Sequence, residues 1–255
     1  MSIKSNIIET QNNVHMHFFS SVSSTMDVAR DISKSTCPNH TVIIAKHQEC
    51  GRGRLKRQWL SDDGGIYMTW ITRPKFAIEH CFAYTFSTAL TIVHTLNQLF
   101  QIKAHVKWPN DVLVDSRKIA GVLTEMQLAN NQFQYLNIGI GINVNNQTNT
   151  DAFSAISIHD ILKKQVDKNL MIQQLCNNLA TQFAHIHVDR VLESWKKHNC
   201  TIGKKVRIVL QDRTIEGQAI NINENGALIV KQNNGQQEAI TYGDCIIPGF
   251  KMSPL

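Results

Sequence analysis

The chain has 255 residues, 42% of them hydrophobic, enough for one large domain or for a large and a small one. Its formal net charge of +6 favours anionic ligands without choosing between nucleotide, nucleic acid and acidic protein. No apolar run reaches transmembrane length and the N-terminus lacks a basic-then-apolar signal pattern, so a soluble, cytoplasmic protein with no membrane contact is expected. The six cysteines are scattered without a Cys-x-x-Cys pair and read as free thiols. His15 with His17, and His185 with His187, lack a third ligand at metal spacing, so no protein-only metal site is expected.

Residues 1–13 carry no pattern of helix or strand. Residues 15–19 alternate as a strand, four serines follow within residues 20–24, and residues 25–32 take up helical spacing, with Ser24 or Thr25 as N-cap. The β-branched runs at residues 41–45 and 66–72 read as strands. They are joined by the loop Gly51-Arg52-Gly53-Arg54-Leu55-Lys56-Arg57-Gln58-Trp59. Its glycines let the backbone approach a ligand closely, while Arg52, Arg54 and Arg57 supply fixed positive charge suited to a phosphate. Trp59 offers a face on which a ring can stack, or else anchors the loop to the core.

Residues 62–65 form a turn, and apolar residues at spacings of three and four predict a helix over residues 79–100. In Lys107-Trp108-Pro109-Asn110-Asp111 the proline ends ladder pairing, which leaves Asn110 and Asp111 at a strand break facing a cleft. Residues 112–114 and 118–128 read as strands around a tight turn, and Asn130-Asn131 as a hairpin to residues 133–139. Gly139 and Gly141 then permit close packing against ligand or backbone, or mark a glycine-rich bulge. Residues 151–158 are irregular, residues 170–188 predict a helix, and residues 189–197 another turn or two. From about residue 200 short strands at 205–210, 214–220, 227–230 and 238–240 have the rhythm of a small antiparallel barrel. The expected division is therefore residues 1–199 and residues 200–255.

Gly-Arg-Gly-Arg-x-x-Arg-x-Trp at residues 51–59, Lys-Trp-Pro-Asn-Asp at residues 107–111 and Lys-x-x-Gly at residues 118–121 follow in this order. With all three, the chain resembles the biotin protein ligase family over most of its length. The resemblance implies an α+β fold: a mixed, largely antiparallel sheet packed with helices, like class II aminoacyl-tRNA synthetases, followed by a small SH3-like β-barrel. It implies an enzyme that uses ATP to convert biotin to biotinyl-5'-AMP, then transfers biotin to a lysine of a biotin carboxyl carrier domain. Fewer than twenty residues precede the first strand of the resemblance, too few for a three-helix DNA-binding domain, so no DNA is expected as partner. A homodimer is left open.

The same resemblance places Ser24, Thr25, Met26, Gln48, Gly51, Arg52, Gly53 and Arg54 around biotin. It places Arg57, Trp59, Asn110 and Asn143 on the nucleotide side, and Lys118 between the biotin carboxylate and the transferred phosphate. Lys118, Asp111 and Arg54 are the expected catalytic groups, although Asp111 can equally cap a turn or sit near magnesium. Magnesium is expected on the ATP phosphates, held mainly by them and by water. The sequence departs from the family at Lys56, where glycine is common, and at Gly65, where asparagine is common. Two other readings remain: a lipoate or octanoate ligase or transferase of similar fold, which carries a different arginine and glycine segment, and a nucleic-acid-binding module built on the basic loop.

Overall fold

β-branched runs with both faces apolar can form central strands, because such strands bury every side chain. In the computed structural model, which describes residues 6–9, 13–34, 37–74, 77–129, 132–148 and 155–250, the run at 66–72 does so. It becomes β4 (Ile66–Thr72), buried at every position. Around it lie β1 (Asn6–Glu9), β2 (His15–Val22), β3 (Thr41–Gln48), β5 (His105–Lys107), β6 (Asp111–Val114), β7 (Arg117–Ala129) and β8 (Gln132–Ile142). The sheet order is β1-β2-β3-β4-β8-β7-β6-β5. Only β2 and β3 pair in parallel, so the sheet is mixed, as expected.

Each face is covered by helix. On one, α2 (Phe82–Phe100) packs against α4 (Lys168–Ala184) and α5 (Val188–His198). Aromatic rings bind this layer to the sheet and to itself: Phe183 meets Trp70 and Tyr84 edge-on, and Phe86 stacks on Trp195 with centroids 4.8 Å apart. On the other face α1 (Thr25–Ser33) covers a smaller cluster of Phe19, Val22, Ala29, Ile43, Ala45 and Ile71. Strand alternation sorts β8 between the two: Ile138, Ile140 and Ile142 enter the main core, while Gly139 and Gly141 face the side of α1. α3 (Ile158–Leu162) starts with a capping box between Ser157 and Asp160.

The C-terminal strands β9 (Lys205–Val209), β10 (Thr214–Ile222), β11 (Leu228–Gln232), β12 (Gln237–Ile240) and β13 (Asp244–Ile246) form a separate antiparallel sheet. Its order is β12-β11-β10-β9-β13. This sheet is joined to the first through Trp108, whose backbone N–H donates to Thr201 Oγ1 at 2.9 Å and whose Nε1 donates to the Gly226 carbonyl at 3.1 Å. Among the described residues, no helix is long and apolar enough to cross a membrane.

Four elements differ from the sequence expectation, the first being α3, which forms behind its Ser157–Asp160 capping box where no helix was expected. β1 forms within residues expected to be patternless, because pairing with the edge of β2 supplies what local preference does not. The helix expected over residues 170–188 ends at Ala184, where the chain leaves helical geometry at His185 and restarts as α5, turning Trp195 onto Phe86. β13 was not expected; its three residues gain their structure from pairing with β9. The expected Asn130-Asn131 hairpin turn lies outside the described residues, as do residues 151–154 of the irregular segment.

Trp195 is 1% exposed, so removing its ring leaves a cavity between α5 and α2. Trp195→Ala is expected to cost about 3–5 kcal/mol, the range for large aromatics emptied from a core. Urea denaturation should show a lower midpoint at nearly unchanged slope, and an unshifted midpoint would show that this ring does not anchor α5.

Candidate functional site

A cavity of about 510 Å³ opens on the face of the main sheet that carries α1. Its floor is made by glycines. A methyl group added to Gly139 would lie 2.8 Å from Met26 Sδ, and one added to Gly141 would lie 2.5 Å from the Trp59 ring. At Gly121 the same atom would come within 3.0 Å of both Trp59 and Lys118 Cε. Side chains at these positions would fill the space that Met26, Trp59 and Lys118 occupy.

One end of the cavity is polar and buried. The Thr25 backbone N–H donates to Gln48 Oε1 at 2.8 Å, and the Thr25 hydroxyl donates to the same oxygen at 3.0 Å. Thr69 Oγ1 donates to Thr25 Oγ1 at 2.8 Å, and Gln48 Nε2 donates to Ser61 Oγ at 2.7 Å. Gln48 is the last residue of β3, and its amide is held from both ends. Ser24 caps α1 by accepting from the Met26 N–H at 3.3 Å. The first turn of the helix thereby places Ser24, Thr25 and Met26 together in the cavity wall.

Residues 51–59 arch over the floor. The arch is closed on itself by Trp59 N–H to the Gly51 carbonyl at 2.9 Å and Gly53 N–H to the Arg57 carbonyl at 2.7 Å. Gly51 does not line the cavity, and its missing side chain leaves room for the Trp59 carbonyl and Ser61 Oγ. Lys56 has φ 62°, the left-handed region that favours glycine, which accounts for the glycine common in the family at this position. At Gly65 a side chain would collide with Tyr67, whose hydroxyl donates to the Asp62 carbonyl at 2.6 Å.

The three loop arginines go to different places. Arg52 Nη2 lies 3.0 Å from Asp27 and 3.5 Å from Glu125, and Arg30 bridges the same two carboxylates at 3.0 and 2.8 Å. Arg57 forms a two-pronged pair with Asp244 of β13. Arg54 alone has neutral partners: Nη1 donates to Asn110 Oδ1 at 3.2 Å and Nη2 to the Gly243 carbonyl at 3.0 Å. Asn110 is aimed by donating its own amide to the Val122 carbonyl at 2.6 Å. Burial pulls the Arg54 guanidinium below its ordinary value, opposed by Asp244 and Asp111.

At the centre, Lys118 Nζ lies 2.5 Å from Asp111 Oδ1, and Lys107 Nζ lies 3.7 Å from Asp111 Oδ2. Lys118 also sits 5.2 Å from the centroid of the Trp59 ring, within cation–π range. Burial works to raise the Asp111 carboxyl, but Lys118 and Lys107, helped by Arg54, outweigh it and hold Asp111 below the usual carboxylate range. Asn143 closes the far side. Its backbone N–H donates to the Ile119 carbonyl at 2.9 Å, and its side-chain oxygen accepts from Asn146 at 3.1 Å.

The structure thus brings thirteen of the fourteen site residues named from the sequence to one cavity, Gly51 alone standing just behind its wall. It adds Lys107, Asn146, Gln147, Thr148, Ala155 and Asp244. Lys107 carries a signal in the Lys-Trp-Pro-Asn-Asp segment. Asp244 carries none, because its place depends on the pairing of β13 with β9, 35 or more residues away from it in sequence on one side and across the whole chain from the loop on the other.

The cavity's lining can be set beside known proteins. Residues 18–143 match the Biotin/lipoate A/B protein ligase family, and residues 201–247 match the Biotin protein ligase C terminal domain. The bifunctional ligase/repressor BirA of Bacillus subtilis is 31% identical over 229 residues, covering 87% of this chain and 70% of the relative. The biotin--[acetyl-CoA-carboxylase] ligase of Paracoccus denitrificans is 26% identical over 207 residues, covering 76% of this chain and 85% of the relative. Among solved structures, the biotin protein ligase from Aquifex aeolicus in complex with biotin and ATP superposes with a TM-score of 0.77 at 25% identity, covering 91% of this chain and 97% of that one. On the extent of these matches, together with the three ordered motifs now seen around one cavity, the chain belongs to the biotin protein ligase family.

Proposed function

We propose that this cavity joins biotin to ATP as biotinyl-5'-AMP and then passes the biotinyl group to a lysine of a biotin carboxyl carrier domain, such as that of acetyl-CoA carboxylase. The observation that carries the reading is the excess of positive charge where two anions must meet: Arg54 without a carboxylate partner, beside Lys118 and Lys107 sharing Asp111. A carboxylate resists attack by an amine until it is activated. Its oxygen attacks the α-phosphorus, an acyl-adenylate forms and pyrophosphate leaves. Two unit charges about 4 Å apart repel by about 4 kcal/mol at an effective dielectric near 20, so fixed cations at the meeting point lower the barrier.

The buried Thr25, Gln48, Ser61 and Thr69 chain suits the ureido ring, whose N–H and carbonyl groups need partners out of water. Met26 supplies apolar surface beside it. On the other side, the Trp59 ring over Gly121 and Gly141 offers a face for the nucleotide base, and Asn110, Asn143 and Arg57, which line the same cavity, would serve the nucleotide. Of the carboxylates lining the cavity, Asp111 is held by two lysines and Asp244 by Arg57. These residues do not make a protein ligand set for magnesium, which would enter on the phosphates of ATP.

In the second step the acceptor amine forms a bond to the acyl carbon, AMP leaves and the amine gives up a proton. Neutralising a lysine of pKa 10.4 at pH 7 costs about 4.6 kcal/mol. Asp111, held below the usual carboxylate range by its lysines, is a weak base, and its part is to orient the ammonium group and Lys118 by charge. A lipoate ligase or transferase is the second reading, since the first family match spans both kinds. The match over residues 201–247 and the names of the relatives favour biotin.

Pyrophosphate exchange into ATP decides between them. Purified protein with ATP and magnesium should exchange in the presence of biotin and stay at background with lipoate or octanoate; the reverse pattern would move the assignment to the second reading. Lys118→Gln should lower biotin-dependent exchange by about a hundredfold, the loss typical of one transition-state donor. A folded Lys118→Gln protein exchanging at the parent rate would take Lys118 out of the chemistry.

A further inference from the structure

Two arginines of residues 51–59 end on consecutive residues of the C-terminal sheet. Arg54 Nη2 donates to the Gly243 carbonyl at 3.0 Å, and both terminal nitrogens of Arg57 meet the two oxygens of Asp244. The carboxylate is on firm ground. Asp244 opens β13 in register with Val209 of β9, Cys245 beside it is 2% exposed, and the sheet is tied to the main one through Trp108. The loop is held less firmly: its backbone-to-backbone hydrogen bonds run between its own residues, among the described residues only the Ser61 hydroxyl reaches its backbone at the Trp59 carbonyl, and Leu55 and Lys56 both occupy left-handed backbone, at φ 52° and 62°. Such geometry costs about 1–2 kcal/mol per residue with a side chain and persists only where the surroundings hold it. The Asp244 side chain is 13% exposed against 42% for Arg57, so the pair is partly removed from solvent and is a two-pronged guanidinium contact rather than a loose surface pair.

We propose that Asp244 is a positioning residue, reaching from the C-terminal sheet to hold residues 51–59 down over the cavity and to fix the Arg57 guanidinium for an anionic ligand. The two-pronged contact uses two of the five guanidinium N–H donors, which leaves three for phosphate oxygens. The C-terminal sheet, whose residues 244–246 line the cavity, then serves the nucleotide site through Arg57. What the loop covers rests on the ligase reading; that Asp244 holds it does not.

Limited trypsin digestion of the ligand-free full chain tests the hold directly, because Arg52, Arg54, Lys56 and Arg57 are all cleavable. Lys197, whose side chain is 68% exposed on the outer side of α5, serves as the reference site in the same digest. Asp244→Asn keeps the shape and removes the charge, and should speed loop cleavage relative to Lys197 by about fivefold. Asp244→Glu keeps the charge and should stay closer to the parent. Loop cleavage of Asp244→Asn at the parent rate overturns the proposal. Should the Asn chain fail to fold, the parent in about 1 M salt, where the Debye length is about 3 Å, takes its place, with the same two outcomes.

Kinetics then separate positioning from general support. In biotin-dependent pyrophosphate exchange, Asp244→Asn should raise the KM for ATP by about fivefold while kcat changes less than about twofold, since the residue acts through Arg57 and not on the reacting atoms. Faster loop cleavage with an unchanged KM for ATP would overturn the part played in nucleotide binding. A parent protein that exchanges nothing with biotin removes the ligase reading and leaves the digestion result standing.

Discussion

Gathering arginines and lysines into one partly buried space is unfavourable unless each charge is answered, and this condition shapes the site and much of the fold around it. The answers come from separate elements. Asp27 of α1 and Glu125 of β7 take Arg52 and Arg30, Asp111 of β6 takes Lys118 and Lys107, and Asp244 of β13 takes Arg57. The main sheet, the helix on its open face and the C-terminal sheet are thus bound to one another through the cations of the loop. The balance is deliberately incomplete in one place: Lys107, Lys118, Arg54 and Arg57 face only Asp111 and Asp244 within the cavity lining. An acyl carboxylate and a phosphate arriving together are the complement of that remainder.

Space is arranged by the same logic as charge. Three glycines on neighbouring strands let Met26, Trp59 and Lys118 lie directly on the sheet, so the floor of the cavity is backbone and its contents are set by what stands on it. Because side chains alternate along β8, Gly139 and Gly141 open the site while Ile138, Ile140 and Ile142 fill the core beneath it. One strand therefore serves stability and ligand binding without either compromising the other. Trp59, left open in the sequence between stacking platform and anchor, lies on this floor beside Lys118, with its indole N–H buried and without a hydrogen-bond partner.

Most of the fold could be read from the residues because the central strands and α2 advertise themselves through runs and periods that tertiary packing does not override. The three motifs could be read because glycine, proline and clustered charge are rare together and point outward from regular elements. What could not be read were features with no local cause. β1 and β13 exist through pairing with β2 and β9, and α4 ends where His185 leaves helical geometry, which no residue type in that run announces. Within the site, the sequence showed which cations would gather but not which carboxylates would meet them, since Asp27, Glu125 and Asp244 look like ordinary surface acids until the chain is folded.

Lys56 shows how a departure from the family pattern can be understood in these terms. Its left-handed backbone is easy for glycine and costly for lysine, and neighbouring Leu55 adds a second residue of the same kind. A glycine at residue 56 would ease the closed form but would also enlarge the range of open forms, because glycine gives up more conformational freedom on ordering than any other residue. With lysine there, fewer open forms compete, and the local cost of closing falls on contacts the loop makes elsewhere: Arg52 at one arm, Arg54 and Arg57 at the other. The two effects oppose each other, so the loop of this chain depends more heavily on its ion pairs than on backbone ease. In a loop held in that way, a phosphate brought near Arg54 and Arg57 would add to the charges that hold it.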